Sequence, residues 1–591
     1  MALFVDVECY KDYFLICVKN SKTGKITKIP KHSDCLLDKV LLTKMMTQEL
    51  ITFNGNKYDI PMISAALAGY DCQQLHDLSN EIIMSDIPTY QILQNKNFSV
   101  GNYNHIDLIE VAIGVASLKI YGGRLHTQKM QDLPIDPQAS ISAEQRELLE
   151  LYCQNDLELT ELLYKKLLPQ IDLRREMKAT YGMDLRSKSD AQIAETIIKS
   201  ELNTLTNKTY TPKQYEEGFI FNYKDPSIIS FTNTELLNIY TQLLEQDFTL
   251  SAKGSVQMPV WLARQKITIG TTVYKMGIGG LHSCEKSQYV KAGKGYLLSD
   301  FDVTSFYPSI ILQQELAPED MGKDFLTLYQ SIVNRRVAAK RDKNTVEADV
   351  LKIVLNGSYG KFGSRFSSLY SPELLLQTTI TGQLSLLMLI ESLESNGIKV
   401  VSANTDGIVV YYRADETEEL HTLLTKWSEK TTYNLEQTDY RLIASRDVNS
   451  YLAVKTDGKT KGKGCFADPS LSKNPDGQII FEAVIAKMAS GQPVAKTIRT
   501  STDITKFVTV RTVNGGAVWQ ERYLGKAIRF YHTSTAELQE ATINYAKNGN
   551  KVPNSLGCRP LMDLPDTFPD DVDHNYYIDK ANELLKGVGY A

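Results

Sequence analysis

Ser299-Asp300-Phe301-Asp302-Val303-Thr304-Ser305-Phe306-Tyr307-Pro308-Ser309-Ile310-Ile311 is the stretch around which this chain is organised. An apolar run from Tyr296 carries Asp302 to the end of a strand, and Pro308, suited to a turn or a first helical position, starts the next element. An aspartate there is a turn former or helix cap as readily as a seat of chemistry. Two later segments weigh on that choice. In Lys352-Ile353-Val354-Leu355-Asn356-Gly357-Ser358-Tyr359-Gly360, the residues Lys352, Asn356 and Tyr359 recur at helical spacing and share one face. A cation, an amide and an aromatic ring then line up toward one ligand. Residues 398–412 hold two β-rich runs around Asn404-Thr405-Asp406-Gly407, a hairpin with Asp406 at its tip.

In this order the three segments match D-x-x-S-[LF]-Y-P-S, K-x-x-x-N-x-x-Y-G and [DN]-T-D-G, and so resemble the polymerase motifs of family B (alpha-like) DNA polymerases. The resemblance implies that Asp302 and Asp406 hold two Mg²⁺ ions, with Mn²⁺ as a substitute, for transfer of a nucleotide to a primer 3′ hydroxyl. Arg336 and Lys340 lie four apart in the helix-like residues 321–342. A basic helix is ordinarily a solvated face, but family members turn such a pair toward the triphosphate. On the resemblance Arg336, Lys340 and Lys352 clamp phosphates, Asn356 and Tyr359 shape the nascent base pair, and Tyr307 blocks a 2′ hydroxyl. Asn404 departs from the aspartate most members carry.

The 591 residues, 42% hydrophobic and 23% charged, suit several globular domains. The net charge of −5 argues against coating nucleic acid by bulk charge, although a local basic groove needs no basic total. No stretch is expected to reach the length of a membrane span, and Met1 to Asp6 lacks the basic start of a signal peptide. Eight scattered cysteines without a C-x-x-C pair suggest reduced thiols in a cytoplasm.

Asp6 and Glu8, two apart in an apolar strand, point to one face and repel unless a cation lies between them. Asn54-Gly55-Asn56-Lys57-Tyr58-Asp59 adds a third acid after a turn. Ser142-Ala143-Glu144-Gln145 is a capping-box pattern opening a helix on which Tyr152 and Asp156 share a face. The set D-x-E, N-x-x-x-[FY]-D and Y-x-x-x-D resembles the 3′-5′ proofreading exonuclease of the same family, an RNase H-like fold. On that resemblance Asp6, Glu8, Asp59 and Asp156 hold two divalent cations for phosphodiester hydrolysis, Tyr152 orients the water, and Asn54 meets single-stranded DNA. Residues 117–126, with Lys119, Tyr121 and Arg124, are either a grip on that strand or a plain surface loop.

The fold class expected is α/β and α+β multidomain: an RNase H-like exonuclease domain followed by a right-hand polymerase of palm, fingers and thumb. Its divisions are 1–185 exonuclease, 186–250 a connecting region without a motif, 251–316 and 367–455 palm, 317–366 fingers, and 456–591 thumb and C-terminal region with helix-like segments from Glu482. Gly277, Gly279 and Gly280 occupy the family's Tyr-x-Gly-Gly place, allowing either close approach to a template phosphate or a hinge. Tyr451 and Lys455 fall where the family holds the primer strand, with Asn449 in a lysine's place, and Lys459, Lys461 and Lys463 are either phosphate contacts or a solvated turn. The short intervals from Asp302 to Lys352 and from Tyr359 to Asn404 leave no room for the insertions of protein-primed relatives, which implies extension of nucleic-acid primers. Implied partners are primer-template DNA, dNTPs, single-stranded DNA at the exonuclease site and, for processivity, a processivity factor or a single-strand binding protein. No membrane is implied. The compactness resembles phage enzymes and so a bacterial host's cytoplasm.

Overall fold

Strand Ala2–Cys9 buries Leu3, Val5 and Val7 on one side and Phe4 on the other, so it lies inside a sheet covered on both faces. In the computed structural model, which describes residues 2–590, it is the middle of five strands. The order is Ile26–Lys31, Phe14–Asn20, Ala2–Cys9, Glu49–Thr52, His105–Asp107, antiparallel among the first three and parallel thereafter. Helices Asp59–Ala68 and Cys72–Met84 cover one face, and the long helix Ala143–Tyr181 covers the other. Its start is the expected capping box, Ser142 and Gln145 exchanging side-chain and backbone hydrogen bonds.

The chain forms two units of mixed helix and strand. The first comprises residues up to Ser189 with Pro469–Ile480 and Ala495–Asp579; the second comprises Asp190–Asp468, Phe481–Val494 and the residues from Lys580 onward. The segment 456–591, expected as one thumb and C-terminal region, is thus shared between them. Its expected helical character also gives way over 509–532. Strands Thr509–Trp519 and Arg522–His532, flanked by Asn544–Tyr545 and Cys558–Pro560, form a four-stranded sheet in the first unit. Val510, Val513, Ile528 and Phe530 are β-formers, and their burial in that sheet outweighs any helical pattern.

Strand Tyr296–Val303 lies within the ten-stranded sheet of the second unit, between Gly407–Arg413 and Leu435–Asp447, and Asp302 is opposite Gly407 on one side and Glu436 on the other. Helix Pro372–Ser395 backs this sheet. It is long and apolar enough to cross a membrane, contrary to the expectation that no stretch would be; 89% of its most apolar window is buried, and Leu376, Ile380, Leu384 and Leu387 belong to the core of this unit. Between sheet and core helix the chain builds helix Phe306–Gln313 and the helical hairpin Gly322–Arg341 and Thr345–Phe362, which fill the short intervals around Lys352.

The region 186–250 is more structured than its polar composition suggests. Helix Asp190–Thr206 buries Ile193, Ala194, Ile197, Ile198 and Leu202 and lies against Thr345–Phe362. The approach is close at Gly357, where a Cβ would come within 2.7 Å of the Asp190 carbonyl and 2.8 Å of the Ala194 Cβ. Glu195 ties the two further, pairing with Lys361 at 2.9 Å and accepting from the Ser368 amide at 2.7 Å.

Candidate active sites

In the second unit, two strand ends bring the acids together. Asp302 closes its strand while Asp406 sits in the turn between Lys399–Asn404 and Gly407–Arg413, and the Val303 amide donates to the Asp406 carbonyl at 2.7 Å. Gly407 is required here, because a Cβ would run into Asp302 Oδ1. Thr405 takes a positive φ of 63° at the tip. Burial and the neighbouring Asp300 push the Asp302 carboxyl up to about 6, and burial raises Asp406 against the pull of its own backbone amide and of Lys463 and Lys461. Carboxylates that burial holds back from ionising, offering only hard oxygen donors, fit Mg²⁺ or Mn²⁺.

A cavity of about 420 Å³ opens beside them, lined by Tyr307, Arg336, Lys340, Asn356, Tyr359, Asp406 and Glu436. Arg336 Nη1 donates to Ser305 Oγ at 3.1 Å, while its Nε is buried without a partner among the described residues, a donor left over for other use. The Tyr307 and Tyr359 rings stack at 4.0 Å; the Tyr307 hydroxyl donates to the Gly279 carbonyl at 3.0 Å, and that of Tyr359 lies 2.5 Å from Thr379 Oγ1. Tyr307 is therefore held at one face and at its tip. The glycine loop is part of this support, the Leu281 carbonyl accepting from the Thr405 amide at 2.8 Å. Lys352 is exposed one helical turn from Asn356 and is not among the residues lining the cavity.

Both ends of the Asn404 amide are used within the protein, its nitrogen donating to the Val448 carbonyl at 2.9 Å and its oxygen accepting from the Thr405 hydroxyl at 3.2 Å. Tyr451 stands close enough for Lys461, Asp300, Asp302 and Asp406 to act on its hydroxyl, which burial raises. Lys455 ends the same strand, its amide donating to the Lys459 carbonyl across the turn. Three residues here escape a motif search: Asp300, Glu436 and Lys461. Strand alternation puts Asp300 on the face of Asp302, and direct cross-strand pairing puts Glu436 there too; Lys461, expected on phosphate or in a solvated turn, lies instead against Asp300 and Asp302.

In the first unit Asp6, Glu8, Asp59, Tyr152 and Asp156 converge from three elements: the middle strand, the start of helix Asp59–Ala68, and Ala143–Tyr181. Burial and Asp156 push Asp6 up to about 7; burial and Asp6 raise both Glu8 and Asp59; burial raises Asp156 against Lys119. Four mutually repelling acids with hard oxygens fit divalent cations here as well. Asp6, Glu8 and Cys153 can also place ligand atoms within 4.8 Å of one another, and the Cys153 thiol donates to Asp6 Oδ2 at 3.3 Å.

Residues 117–126 are not a plain loop. Ser117 caps helix Leu118–Arg124, and Lys119 from it pairs with Asp156 and lies 4.1 Å from the centre of the Tyr152 ring. Asn54, at a positive φ of 66°, donates its backbone amide to Asp107 at 2.7 Å, and Asn56 does so at 2.9 Å. Asp107 thereby fixes the turn that presents Asp59, a role without a sequence signature.

No family model matches the chain. Over 122 residues, 20% of its length, it is 29% identical to DNA polymerase 1 of Sulfolobus acidocaldarius, a stretch covering 13% of that protein. The chain is also similar to the structure of the family B DNA polymerase from the hyperthermophilic archaeon Pyrobaculum calidifontis, with a TM-score of 0.41 and 13% identity over 99% of this chain and 77% of the other.

Proposed function

We propose that this chain is a template-directed family B DNA polymerase with a 3′-5′ proofreading exonuclease, and that it extends nucleic-acid primers. The observation that carries this reading is the meeting of Asp302 and Asp406 at the mouth of a cavity lined by Arg336, Lys340, Asn356, Tyr307 and Tyr359. Bound divalent ions would lower the barrier to attack on the α-phosphate and neutralise the departing pyrophosphate. The chain's own contribution is orientation and charge. Arg336 and Lys340 offer cationic donors to a triphosphate, and Lys352 joins them in this reading only if the hairpin moves toward the cavity. Asn356 and Tyr359 bound the base-pair side. Tyr307, stacked and hydrogen bonded, would in this reading exclude a 2′ hydroxyl, which favours dNTPs.

For the first unit we propose hydrolysis of a DNA 3′ end. The sheet order, with three antiparallel strands followed by two parallel ones, supports an RNase H-like fold. Asp6, Glu8, Asp59 and Asp156 would hold the ions, Tyr152 would orient water, Asn54 would meet the strand, and Lys119 would balance Asp156 until ions bind. Tyr451 and Lys455 are assigned to the primer strand. The short intervals around Lys352 support priming from nucleic acid, and a phage origin, a bacterial cytoplasm and a processivity or single-strand binding partner belong to the same proposal.

The test is primer extension on a 5′-labelled primer annealed to a template with Mg²⁺, with and without dNTPs. Lengthening with dNTPs and shortening without them is the expected outcome; neither product at saturating Mg²⁺ or Mn²⁺ overturns the reading.

A further inference from the structure

Asp300 has no place in the function proposed above. It is two residues before Asp302 on the same strand and therefore on the same face, but it is buried where Asp302 is partly open. A buried carboxylate needs hydrogen bonds and a counter-charge. Tyr440, from the neighbouring strand Leu435–Asp447, donates its hydroxyl to Asp300 Oδ2. Lys461 supplies the charge. Its Nζ lies 2.9 Å from the same oxygen and 3.4 Å from Asp302 Oδ2.

Lys461 reaches this position from strand Thr460–Gly462, which pairs with Ser450–Lys455 at the far edge of the sheet. Its ammonium is anchored on Asp300, whose buried carboxylate a complete departure would leave uncompensated, whereas the longer contact with Asp302 can be given up without leaving Asp300. The same ammonium stands beside Asp302 Oδ2, in the space a cation ligated by that oxygen would need. Lys463 faces the site as well, acting on Asp406 and Asp302 by charge. No hydrogen bond from it to either acid is found among the described residues.

We propose that Lys461, held by Asp300 and Tyr440, is a resident cation on Asp302: a positioning residue that fixes the carboxylate before metal arrives and that a divalent ion must displace. The proposal rests on the reading of Asp302 as a metal ligand. In consequence Lys461 raises the metal concentration the site needs, and Asp300 serves the reaction only through the lysine it retains.

The experiment measures Mn²⁺ binding to the full chain by the electron paramagnetic resonance of free Mn²⁺, without DNA or nucleotide. All proteins carry Asp6→Ala with Glu8→Ala, to silence the first unit's acids. The decisive variant is Asp300→Asn with Lys461→Met. It removes one negative and one positive charge, so net charge is unchanged while Asp302 Oδ2 is freed. The expected result is a dissociation constant lowered about three- to tenfold, the size of one close charge contact in a half-solvated site. An unchanged or raised constant overturns the proposal.

Lys461→Met alone leaves Asp300 uncompensated, and its melting temperature is measured alongside to show that the protein still folds. Lys463→Met removes equal charge without touching Asp302 and should lower the constant by less than Lys461→Met does. Equal shifts would mean that bulk charge is the cause and would also overturn the proposal. Asp302→Asn separates the two readings. If it leaves Mn²⁺ binding untouched, the metal assignment falls and this proposal with it; if it removes the ion while the decisive variant behaves as its parent, only the role of Lys461 falls.

Discussion

Asp6, Glu8, Asp59 and Asp156 in the first unit meet one lysine, Lys119, which is engaged by Asp156; Asp300, Asp302 and Asp406 in the second meet two, Lys461 and Lys463. In the first set Asp59 and Asp156 are buried and Asp6 and Glu8 partly so, and every member is raised, Asp6 to about 7. The second is half open, and Asp302 reaches only about 6. Two clusters suited to the same ions thus hold their charge differently: one waits partly protonated, the other partly neutralised by its own chain. Both should answer to pH, the first more strongly, and the second also to the identity of a few cationic side chains.

The largest expected effects ask whether the two clusters are separate at all. Asp302→Ala and Asp406→Ala should each eliminate extension, a loss of about three orders of magnitude or more for several kcal/mol of charge stabilisation, and leave 3′-5′ degradation in place. Asp6→Ala with Glu8→Ala should do the reverse. Labelled-primer gels check both, and a single-site variant that silenced both activities would break the comparison. Next is Tyr307→Ala. By removing a clash it should raise ribonucleotide insertion by about ten- to a hundredfold in single-nucleotide assays, with degradation unaffected. An unchanged preference would remove Tyr307 from the site.

Asn404 gives a smaller effect. Because its amide is spent on Val448 and Thr405, Asn404→Ala should slow extension only about two- to fivefold, the scale of one lost hydrogen bond. Asn404→Asp puts a carboxylate oxygen against the Val448 carbonyl. It should therefore lower the melting temperature slightly while reducing the Mg²⁺ needed for half-maximal rate, and loss of activity as complete as in Asp406→Ala would make the amide a primary ligand.

The smallest effect sharpens the contrast in pH response. Asp6 lies near 7 in the fold against about 3.9 unfolded, so the folded chain keeps a proton that the unfolded chain has lost across that interval. Metal-free stability therefore falls as pH rises through the interval and stays low above it, unless a cation replaces the proton. The rise in melting temperature on adding Mn²⁺ should be larger at about pH 8 than at about pH 5.5, by about 1–3 °C. Asp6→Ala with Glu8→Ala should erase most of that difference. A pH-independent rise in the parent chain would contradict it.

Asp302, Asp406, Asn356 and Tyr359 are legible in the sequence because each belongs to a short segment whose own period or turn places it: a strand end, a hairpin tip, a helix face. Lys461 is not, because its partner Asp300 is 161 residues away, and a run of lysines around a Gly turn has the composition of a solvated tip. Lys119 is hidden for a similar reason: seven helical residues rich in glycine leave too short a period to distinguish from a loop. The helix Asp190–Thr206 does carry its apolar ridge at Ile193, Ala194, Ile197, Ile198 and Leu202, but Pro212 and the Asp225-Pro226 step downstream give the whole region the character of a linker. The strands at 509–532 are defined by long-range pairing, which no local window contains.

The contact at Gly357 bears on movement. With Asp190 and Ala194 resting on its bare backbone, and Glu195 bound to Lys361 and Ser368, the helical hairpin cannot pivot as a pair. Any swing that carries Asn356 and Tyr359 must take the third helix along, so the mobile body has three helices and its hinges lie where the chain enters and leaves that body. Gly357→Ala would act as a shim, prising the third helix away and softening a lever that the native contact keeps stiff.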